Sequence, residues 1–315
     1  MEGKWRWILV TAVAPIAWGS VYFVTSHWLP ADQPLWGAAL RALPAGILLL
    51  LIAPRLPHDI GWWRTIVLGV LNVGGFFLLL YIASQLLPTS VAASIMAASP
   101  LVFALLGWLM LKQSPTVHML IGAGIGILGV ILLVGGAVGA IDGWGVAASV
   151  TGLITSAVAQ ILTRRWRATA DPITTTAWQL VVGGVLLTAV AVGVEGPPPA
   201  LDASGWLAIA YVGLVGTAIA NVVWFIGLEK LPAGTVGIIG LLNPVTGVLL
   251  GVLLGGETLG ALQGIGIALA LTGIVIGQRR ATRPPSPGSA ARDQKTSGDG
   301  VDAQRIVTSA WRSNR

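Results

Sequence analysis

Apolar stretches of about 20 residues recur along the whole chain, and this recurrence limits the fold more than any other feature. As a helix, a stretch of about 20 apolar residues spans the ~30 Å hydrocarbon core of a bilayer. Only 10% of the residues are charged and the mean hydropathy is +0.84, whereas soluble domains carry about 25% charged residues. The sequence therefore predicts an all-α integral membrane protein.

Ten transmembrane helices are predicted, joined by short loops that Pro or Gly punctuates. Their approximate bounds are 7–27, 34–53, 63–84, 88–111, 117–137, 144–163, 173–193, 205–228, 232–254 and 259–278. The loops on one side carry twelve Lys and Arg residues. Those on the other side carry no Lys or Arg, and hold Asp32, Asp142, Glu195, Asp202 and Glu257. Because basic loops stay in the cytoplasm, both termini are predicted to be cytoplasmic.

The second half of the chain repeats features of the first half. Displaced by 144 residues, Pro88 meets Pro232, Pro100 meets Pro244 and Gly129 meets Gly273. Each half holds five spans, an odd number, so the halves enter the membrane in opposite senses. The predicted units are a first repeat (1–137), a second repeat (138–280) and a disordered cytoplasmic tail (281–315). This 5+5 inverted-topology repeat is common among secondary transporters, whose substrate sites lie between the repeats near the midplane.

Several motifs resemble those of the drug/metabolite transporter superfamily, specifically its EamA-type members. They are "APIAWGSVYFV" in span one, Arg41 in span two, "SPLVFALLGWLML" in span four, and "NPVTGVLLGVLLGGETLGALQGIGIALALTGIVIG" across spans nine and ten. The likeness covers residues 1–280. It implies a ten-helix carrier of small organic metabolites, often an exporter of amino acids. Such families usually carry an acid after the fourth span as well as after the ninth, but Gln113 occupies the position that matches Glu257.

Two helix breakers inside apolar spans mark candidate substrate contacts. Asn243-Pro244 and its repeat partner Ser99-Pro100 are predicted to kink their helices, because a proline inside a helix removes a backbone hydrogen bond. The carbonyl that loses its bond must find another partner in lipid. A kink that faces the cavity is favoured over one that serves packing alone.

Arg41 and Glu257 are candidates for charge coupling or for a structural role. Arg41 lies about seven residues into span two, where a charge is costly. Three roles are open for it: reaching outward to the interface, pairing with an acid such as Glu257 or Asp32, or binding a substrate carboxylate. Glu257 closes span nine and is expected to be interfacial.

Polar amides and deep aromatic residues complete the candidate cavity. Buried amides need hydrogen-bond partners, and for each amide alone an interhelical hydrogen bond is the favoured explanation. For each aromatic residue alone, helix packing is an equally good explanation. As a set they predict a polar interior that suits an amphiphilic metabolite. The candidates are Trp18, Asn72, Phe76, Phe77, Gln160, Trp178, Gln179, Asn221 and Trp224, together with the two breaker pairs.

Catalytic and cofactor motifs are missing from the sequence. HExxH, GxSxG and a P-loop do not occur, and three scattered histidines predict no metal site. "GIGILG" at 124–129 matches a dinucleotide fingerprint but lies inside an apolar span, where small residues let helices approach closely. Packing faces are predicted on span five (Gly122, Gly126, Gly129) and span ten (Gly266, Ala270), which either scaffold each half or support a dimer. Reading residues 1–20 as a cleaved signal peptide would remove span one. No enzyme activity, cofactor or nucleic-acid partner is predicted.

The sequence thus predicts a secondary transporter of small organic metabolites, most simply an exporter of amino acids or related compounds working by alternating access. Its expected partners are a small-molecule substrate, the lipid bilayer and, as an open question, a second copy of the chain. The alternative is a flippase-like or multidrug translocator of lipid-linked or amphiphilic compounds. The expected location is the plasma membrane, with a bacterial inner membrane favoured.

Overall fold

The computed structural model describes residues 2–58, 60–96, 98–112, 116–135, 141–166 and 171–277. Every regular element within these ranges is helical. The α-helices are α1 (Glu2–Trp28), α2 (Pro34–Ile52), α3 (Trp62–Gly69), α4 (Phe76–Leu86), α5 (Thr89–Met96), α6 (Ser99–Leu111), α7 (Val117–Gly135), α8 (Gly143–Trp166), α9 (Pro172–Val194), α10 (Ala203–Ala210), α11 (Ala220–Lys230), α12 (Ala233–Gly240), α13 (Leu242–Leu253) and α14 (Ala261–Gly277). Gln113 and the predicted tail lie outside the described residues.

Two π-helical segments join α-helices into longer rods. The first π segment, Val70–Gly75, connects α3 with α4, and the second, Tyr211–Ile219, connects α10 with α11. In the described ranges, eight helical stretches of 19 to 28 residues are long and apolar enough to cross a membrane, and α14 is a shorter apolar helix. Their outer faces expose large apolar side chains, among them Leu9, Leu51 and Leu207. A helix that is apolar all round is typical of a membrane span, and the chain is a multi-pass membrane protein.

The two breaker pairs lie at helix starts rather than inside helices, which corrects the predicted kinks. The fourth apolar span is divided into α5 and α6, and the ninth into α12 and α13. Ser99 and Pro100 occupy the first turn of α6, and Pro244 the first turn of α13. The first N–H groups of a helix have no intrahelical partner, so a proline there removes no bond. The chain breaks first, and the proline begins the next half-helix.

The helix bounds repeat along the chain at the displacement found in the sequence. Moving α4 by 144 residues gives 220–230, the bounds of α11, and moving α5 gives 233–240, the bounds of α12. The first π segment moves to 214–219, inside the second π segment. After this displacement, residues 70–96 and 214–240 therefore agree in their irregular segments as well as in their regular helices.

Small residues let particular helix pairs approach closely. α7 packs along α14 through Gly122, Gly129, Gly266 and Gly273, where an added Cβ would lie within 3 Å of the facing backbone. These contacts confirm that the small residues of spans five and ten form packing faces, and they show that the two faces pack on each other. Elsewhere α2 packs on α9, α4 on α8, and α1 on both α11 and α13.

Candidate functional site

Arg41 lies in the protein interior, on α2. Its side chain is only 6% exposed. Its Nε donates a hydrogen bond to Oγ1 of Thr217 at 2.8 Å, and its Cζ lies 4.1 Å from the centroid of the Phe77 ring. A cation this close to an aromatic face is attracted by the ring quadrupole. The guanidinium is therefore held by a hydroxyl on one edge and a ring on one face.

The second π segment supplies the hydroxyl that holds Arg41. Thr217 Oγ1 donates to the carbonyl of Val212, five residues back, at 2.9 Å. The Thr217 oxygen thus keeps its lone pairs for Arg41, since its proton is already used. One turn further on, Nδ2 of Asn221 donates to the Thr217 carbonyl at 2.7 Å. π turns of this kind frequently occur at functional sites.

Two tyrosines and a serine extend the buried polar region on α1 and the second π segment. Tyr22 is 2% exposed. Ser20 Oγ and the hydroxyl of Tyr211 share a hydrogen bond at 2.6 Å. A void of about 10 Å³ lies between Tyr22, Phe76 and Ser149, with room for about one water. Sequence analysis did not select Tyr22 or Thr217, although Tyr22 lies within the quoted "APIAWGSVYFV" and Thr217 precedes Asn221 by one turn.

The predicted amides fall into different environments. Asn72 Nδ2 donates to Oε1 of Gln179 at 2.9 Å, which joins the first π segment to α9. Gln160 is exposed, and its Nε2 donates to Ser156 of its own helix at 3.3 Å. The structure therefore brings Asn72 and Gln179 together and places Gln160 on the exposed face of α8.

A second interior region surrounds the start of α13. The rings of Trp18 and Trp224 have centroids 5.2 Å apart. The Asn243 carbonyl lies so close to Gly19 that an added Cβ on Gly19 would clash with it. Among the described residues, Oδ1 of Asn243 is buried without a hydrogen-bond partner, and a buried polar atom of this kind needs an explanation such as a bound water or ligand.

Trp178 has a different setting from the other candidate aromatics. Its Nε1 donates to the carbonyl of Arg55 at 2.8 Å, and its ring meets that of Trp62 edge to face at 4.9 Å. Both partners lie at or beyond the ends of α2 and α3. Trp178 thus resembles an interfacial tryptophan, which presents an apolar body and a polar N–H.

Two glutamates bind helix N-termini far away in sequence. Glu257 accepts hydrogen bonds from the amides of Thr89 at 2.5 Å and Ser90 at 3.1 Å, at the start of α5. Glu195 accepts from the amides of Leu35 at 2.7 Å and Trp36 at 2.9 Å, at the start of α2. A carboxylate is stabilising there because the helix dipole and free N–H groups favour negative charge.

The acids that sequence analysis paired with Arg41 are thus engaged elsewhere or lie in loops. Glu257 binds α5, and Asp32 lies in the turn between α1 and α2. Within the described ranges, no cluster of three or more His, Asp or Glu side chains is placed to hold a metal ion.

Comparison with known proteins identifies the family. The model of the EamA-like transporter family matches residues 5–135 and again residues 143–277. The chain belongs to the EamA-like transporter family. Protein PecM of Dickeya dadantii is similar, with 35% identity over 268 residues that cover 84% of this chain and 90% of PecM. The inner membrane transporter YedA of Escherichia coli is 27% identical over 266 residues, covering 83% and 87%.

The fold also has a solved counterpart. A crystal structure of another protein superposes on this EamA-like chain with a TM-score of 0.61 at 20% identity, covering 86% of this chain and 96% of that chain. At this identity the likeness concerns the fold alone. The family and relatives make the chain a member of a transporter family, which agrees with the resemblance seen in the motifs.

Proposed function

We propose that this protein is a secondary transporter of small organic metabolites that works by alternating access between two inverted five-helix repeats. The exported compounds are amino acids or related molecules, and the protein lies in the plasma membrane of a bacterium with both termini in the cytoplasm. It acts on its substrate without catalysing a chemical reaction.

The proposal rests mainly on one observation: the fourth and ninth apolar spans, one in each predicted repeat, break at corresponding positions. α5 ends where α12 ends after displacement by 144 residues, and both π segments overlap. Discontinuous helices at corresponding positions of two repeats are typical of transporter sites. The double match of the family model, over 5–135 and 143–277, supports the same division.

The helix breaks also give a physical basis for two states. α5 packs against α13, whereas α6, which follows α5, packs mainly on α8, and α12, which precedes α13, packs on α1. Among the described residues, the broken spans thus meet on one side of their breaks through α5 and α13, whereas α6 and α12 pack on other helices. With the predicted topology the meeting side is external, which supports an inward-facing arrangement.

Topology is tested with single cysteines, because the chain has none of its own. Arg55→Cys and Arg165→Cys are expected inside, and Ala31→Cys and Ala200→Cys outside; all four positions are exposed. In whole cells, an impermeant maleimide should label only the second pair. Labelling of one cysteine from each pair would refute the inverted repeat.

Transport itself is tested by counterflow in proteoliposomes. Vesicles preloaded with an unlabelled solute are given traces of the same radiolabelled solute, with a panel of amino acids, sugars, drugs and amphiphiles. Saturable accumulation of amino acids is expected. Accumulation of amphiphiles alone would favour the flippase alternative, and no counterflow for any class would contradict the transporter proposal.

A further inference from the structure

We propose that Arg41 binds the carboxylate of the transported substrate, so that the substrate class is a monocarboxylate with an apolar or aromatic body. This inference rests on the proposed transport function and adds the chemical class of the substrate. The structure distinguishes among the three roles that the sequence leaves open for Arg41.

The first role, reaching outward to the interface, does not fit the geometry. An arginine near a helix end can extend its head group to the membrane surface. Here the side chain is 6% exposed. Its Nε is bonded to Thr217, which lies 14 residues beyond the start of α10, and its guanidinium lies over Phe77. The charged group is thus directed into the helix bundle.

The second role, pairing with an acid, is filled by other partners. Both oxygens of Glu257 receive amide hydrogen bonds from the start of α5, and both oxygens of Glu195 receive them from the start of α2. Within the described residues, Arg41 forms no ion pair, and its single hydrogen bond is the one to Thr217. A buried charge without a counterion is strongly unfavourable, so this site favours an anion from outside the chain.

The remaining donors of Arg41 match a carboxylate. A guanidinium has five N–H donors in a planar fork, and Nε uses one of them for Thr217. Four donors on the two terminal nitrogens are left, which is the set that grips a carboxylate by two parallel hydrogen bonds. Thr217 and Phe77 fix the plane of the fork and so lower the entropy lost on binding.

The surroundings of Arg41 indicate the rest of the ligand. The ring of Phe77 lies against the guanidinium. The ring of Phe76 lies 5.9 Å from the ring of Phe77, and Tyr22 lines the same small void as Phe76. An apolar or aromatic body would pack against these rings. That void, which neither Arg41 nor Phe77 lines, has room for about one water. Such a ligand therefore needs the two repeats to move apart, as alternating access demands.

Three probes with one skeleton and different charges test the inference: 3-phenylpropionate, 3-phenylpropanol and 3-phenylpropylamine. Binding to the purified full-length protein is followed by tryptophan fluorescence and by the shift in melting temperature. The acid should bind the wild type saturably and at least tenfold more tightly than the alcohol or the amine. Wild-type protein that does not prefer the acid would overturn the inference.

Arg41→Gln should weaken binding of the acid by about 10- to 100-fold, the loss expected for one or two charge-assisted hydrogen bonds. Binding of the alcohol should stay the same. Arg55→Gln, which alters an exposed loop arginine, is the matched control and should bind the acid like the wild type. Equal binding of the acid by folded Arg41→Gln and wild type would contradict the inference.

If Arg41→Gln does not fold, Thr217→Val replaces it. This change keeps the charge but removes the hydroxyl that orients the guanidinium, so the acid should bind several-fold more weakly and the alcohol as before. Unchanged binding of the acid would mean that Arg41 is a structural link. Counterflow of cationic solutes that survives Arg41→Gln would refute carboxylate binding by Arg41 but support the transport function. Binding of the acid that depends on Arg41, without counterflow of any solute, would support the carboxylate site but refute the transport function.

Discussion

Gly129 on α7 gives the most direct quantitative prediction, because its neighbours are backbone atoms that cannot rotate away. A Cβ added there would lie 2.5 Å from the Ala270 nitrogen and 2.6 Å from the Gly266 carbonyl oxygen, both on α14. Real Cβ contacts below 3.0 Å essentially never occur. Gly129→Ala therefore forces α7 and α14 apart by roughly half an ångström or more along their closest line, judged against ordinary contact distances.

Two opposing terms set the magnitude. Overpacking a close interface costs about 1–3 kcal/mol, while replacing Gly by Ala in a helix gains about 0.5–1 kcal/mol. Because the facing atoms are backbone, the upper part of the cost range applies, about 2–3 kcal/mol. With a gain of about 1 kcal/mol, Gly129→Ala should lose about 1–2 kcal/mol of unfolding free energy. Gly124, on the same helix, has no atom within 4 Å of its added Cβ. Gly124→Ala should therefore raise the unfolding free energy by the helix term of about 0.5–1 kcal/mol, with no overpacking cost.

Thermal unfolding in detergent, followed by tryptophan fluorescence, separates the two variants. A change of 1 kcal/mol moves the melting temperature of a domain of 150–250 residues by about 2–4 °C. We expect Gly129→Ala to melt about 2–8 °C below the wild type, and Gly124→Ala to melt at or slightly above it. On α14, Gly266→Ala and Gly264→Ala form a second pair with the same contrast. Equal shifts within either pair would refute the close α7–α14 contact.

Three further predictions concern single polar side chains. Glu257→Ala removes both amide bonds at the start of α5, and the unfolding free energy should fall by about 2–3 kcal/mol, since charged hydrogen bonds contribute about 1.5–3 kcal/mol each and water recovers part; an unchanged melting temperature would contradict this. Burial raises the pKa of Asp171, but hydrogen bonds from the amide and hydroxyl of Thr174 outweigh it and hold the pKa below its usual value. Its stabilising contribution is therefore present above the unfolded pKa of about 3.9 and is lost as the pH falls through the folded value. Asp171→Asn should accordingly flatten the loss of melting temperature in acid, and a wild-type acid profile in that variant would show that other carboxylates govern it. Asn243→Ala should lower the counterflow rate while expression stays near normal, because its buried Oδ1 has no partner among the described residues; wild-type kinetics would remove Asn243 from the site.

The eight spans found in the described residues were predictable because hydropathy alone determines them. An apolar run long enough to cross the bilayer must form a helix, since no water is present to satisfy its backbone. Trp178 was predicted to line the cavity, but its position in the helix also fits the interface. It lies six residues into α9, or about 9 Å at 1.5 Å per residue, a depth compatible with the interface that its contacts indicate.

The contacts of Arg41 were beyond sequence reasoning. Thr217 is 176 residues away in the chain, and it lies in the second π segment, where its hydroxyl also donates to the carbonyl five residues back. A π turn leaves no mark on hydropathy, so "YVGLVGTAI" reads as an ordinary apolar helix. The sequence placed an irregularity at Pro100 and at Pro244 to within a few residues. It could not show that each is a break between two helices and not a kink inside one, because that depends on where the preceding helix ends.

We expect Glu195 and Glu257 to favour one state of the proposed cycle over the other, which exact symmetry would not do. Two identical inverted repeats would make the inward-facing and outward-facing states equal in energy. Both carboxylates hold a helix N-terminus on the side predicted to be external, and each bond joins residues of different predicted repeats. On the predicted internal side, the link from Trp178 to the Arg55 carbonyl is a single neutral hydrogen bond, which is weaker than a charged one. The external side should therefore be the more firmly closed.

We expect opening of that side to separate these helices and break the four carboxylate–amide bonds, so weakening the bonds should favour the outward-facing state. Glu195→Gln combined with Glu257→Gln keeps the shape of both side chains and removes their charge. Ser94 on α5 is 1% exposed, and Ser94→Cys supplies a single nearly isosteric reporter there. Labelling of this cysteine by an impermeant maleimide in whole cells should be slow in the parent and at least several-fold faster in the double variant. An equal rate in both backgrounds would mean that the glutamates stabilise individual helices and do not govern the opening.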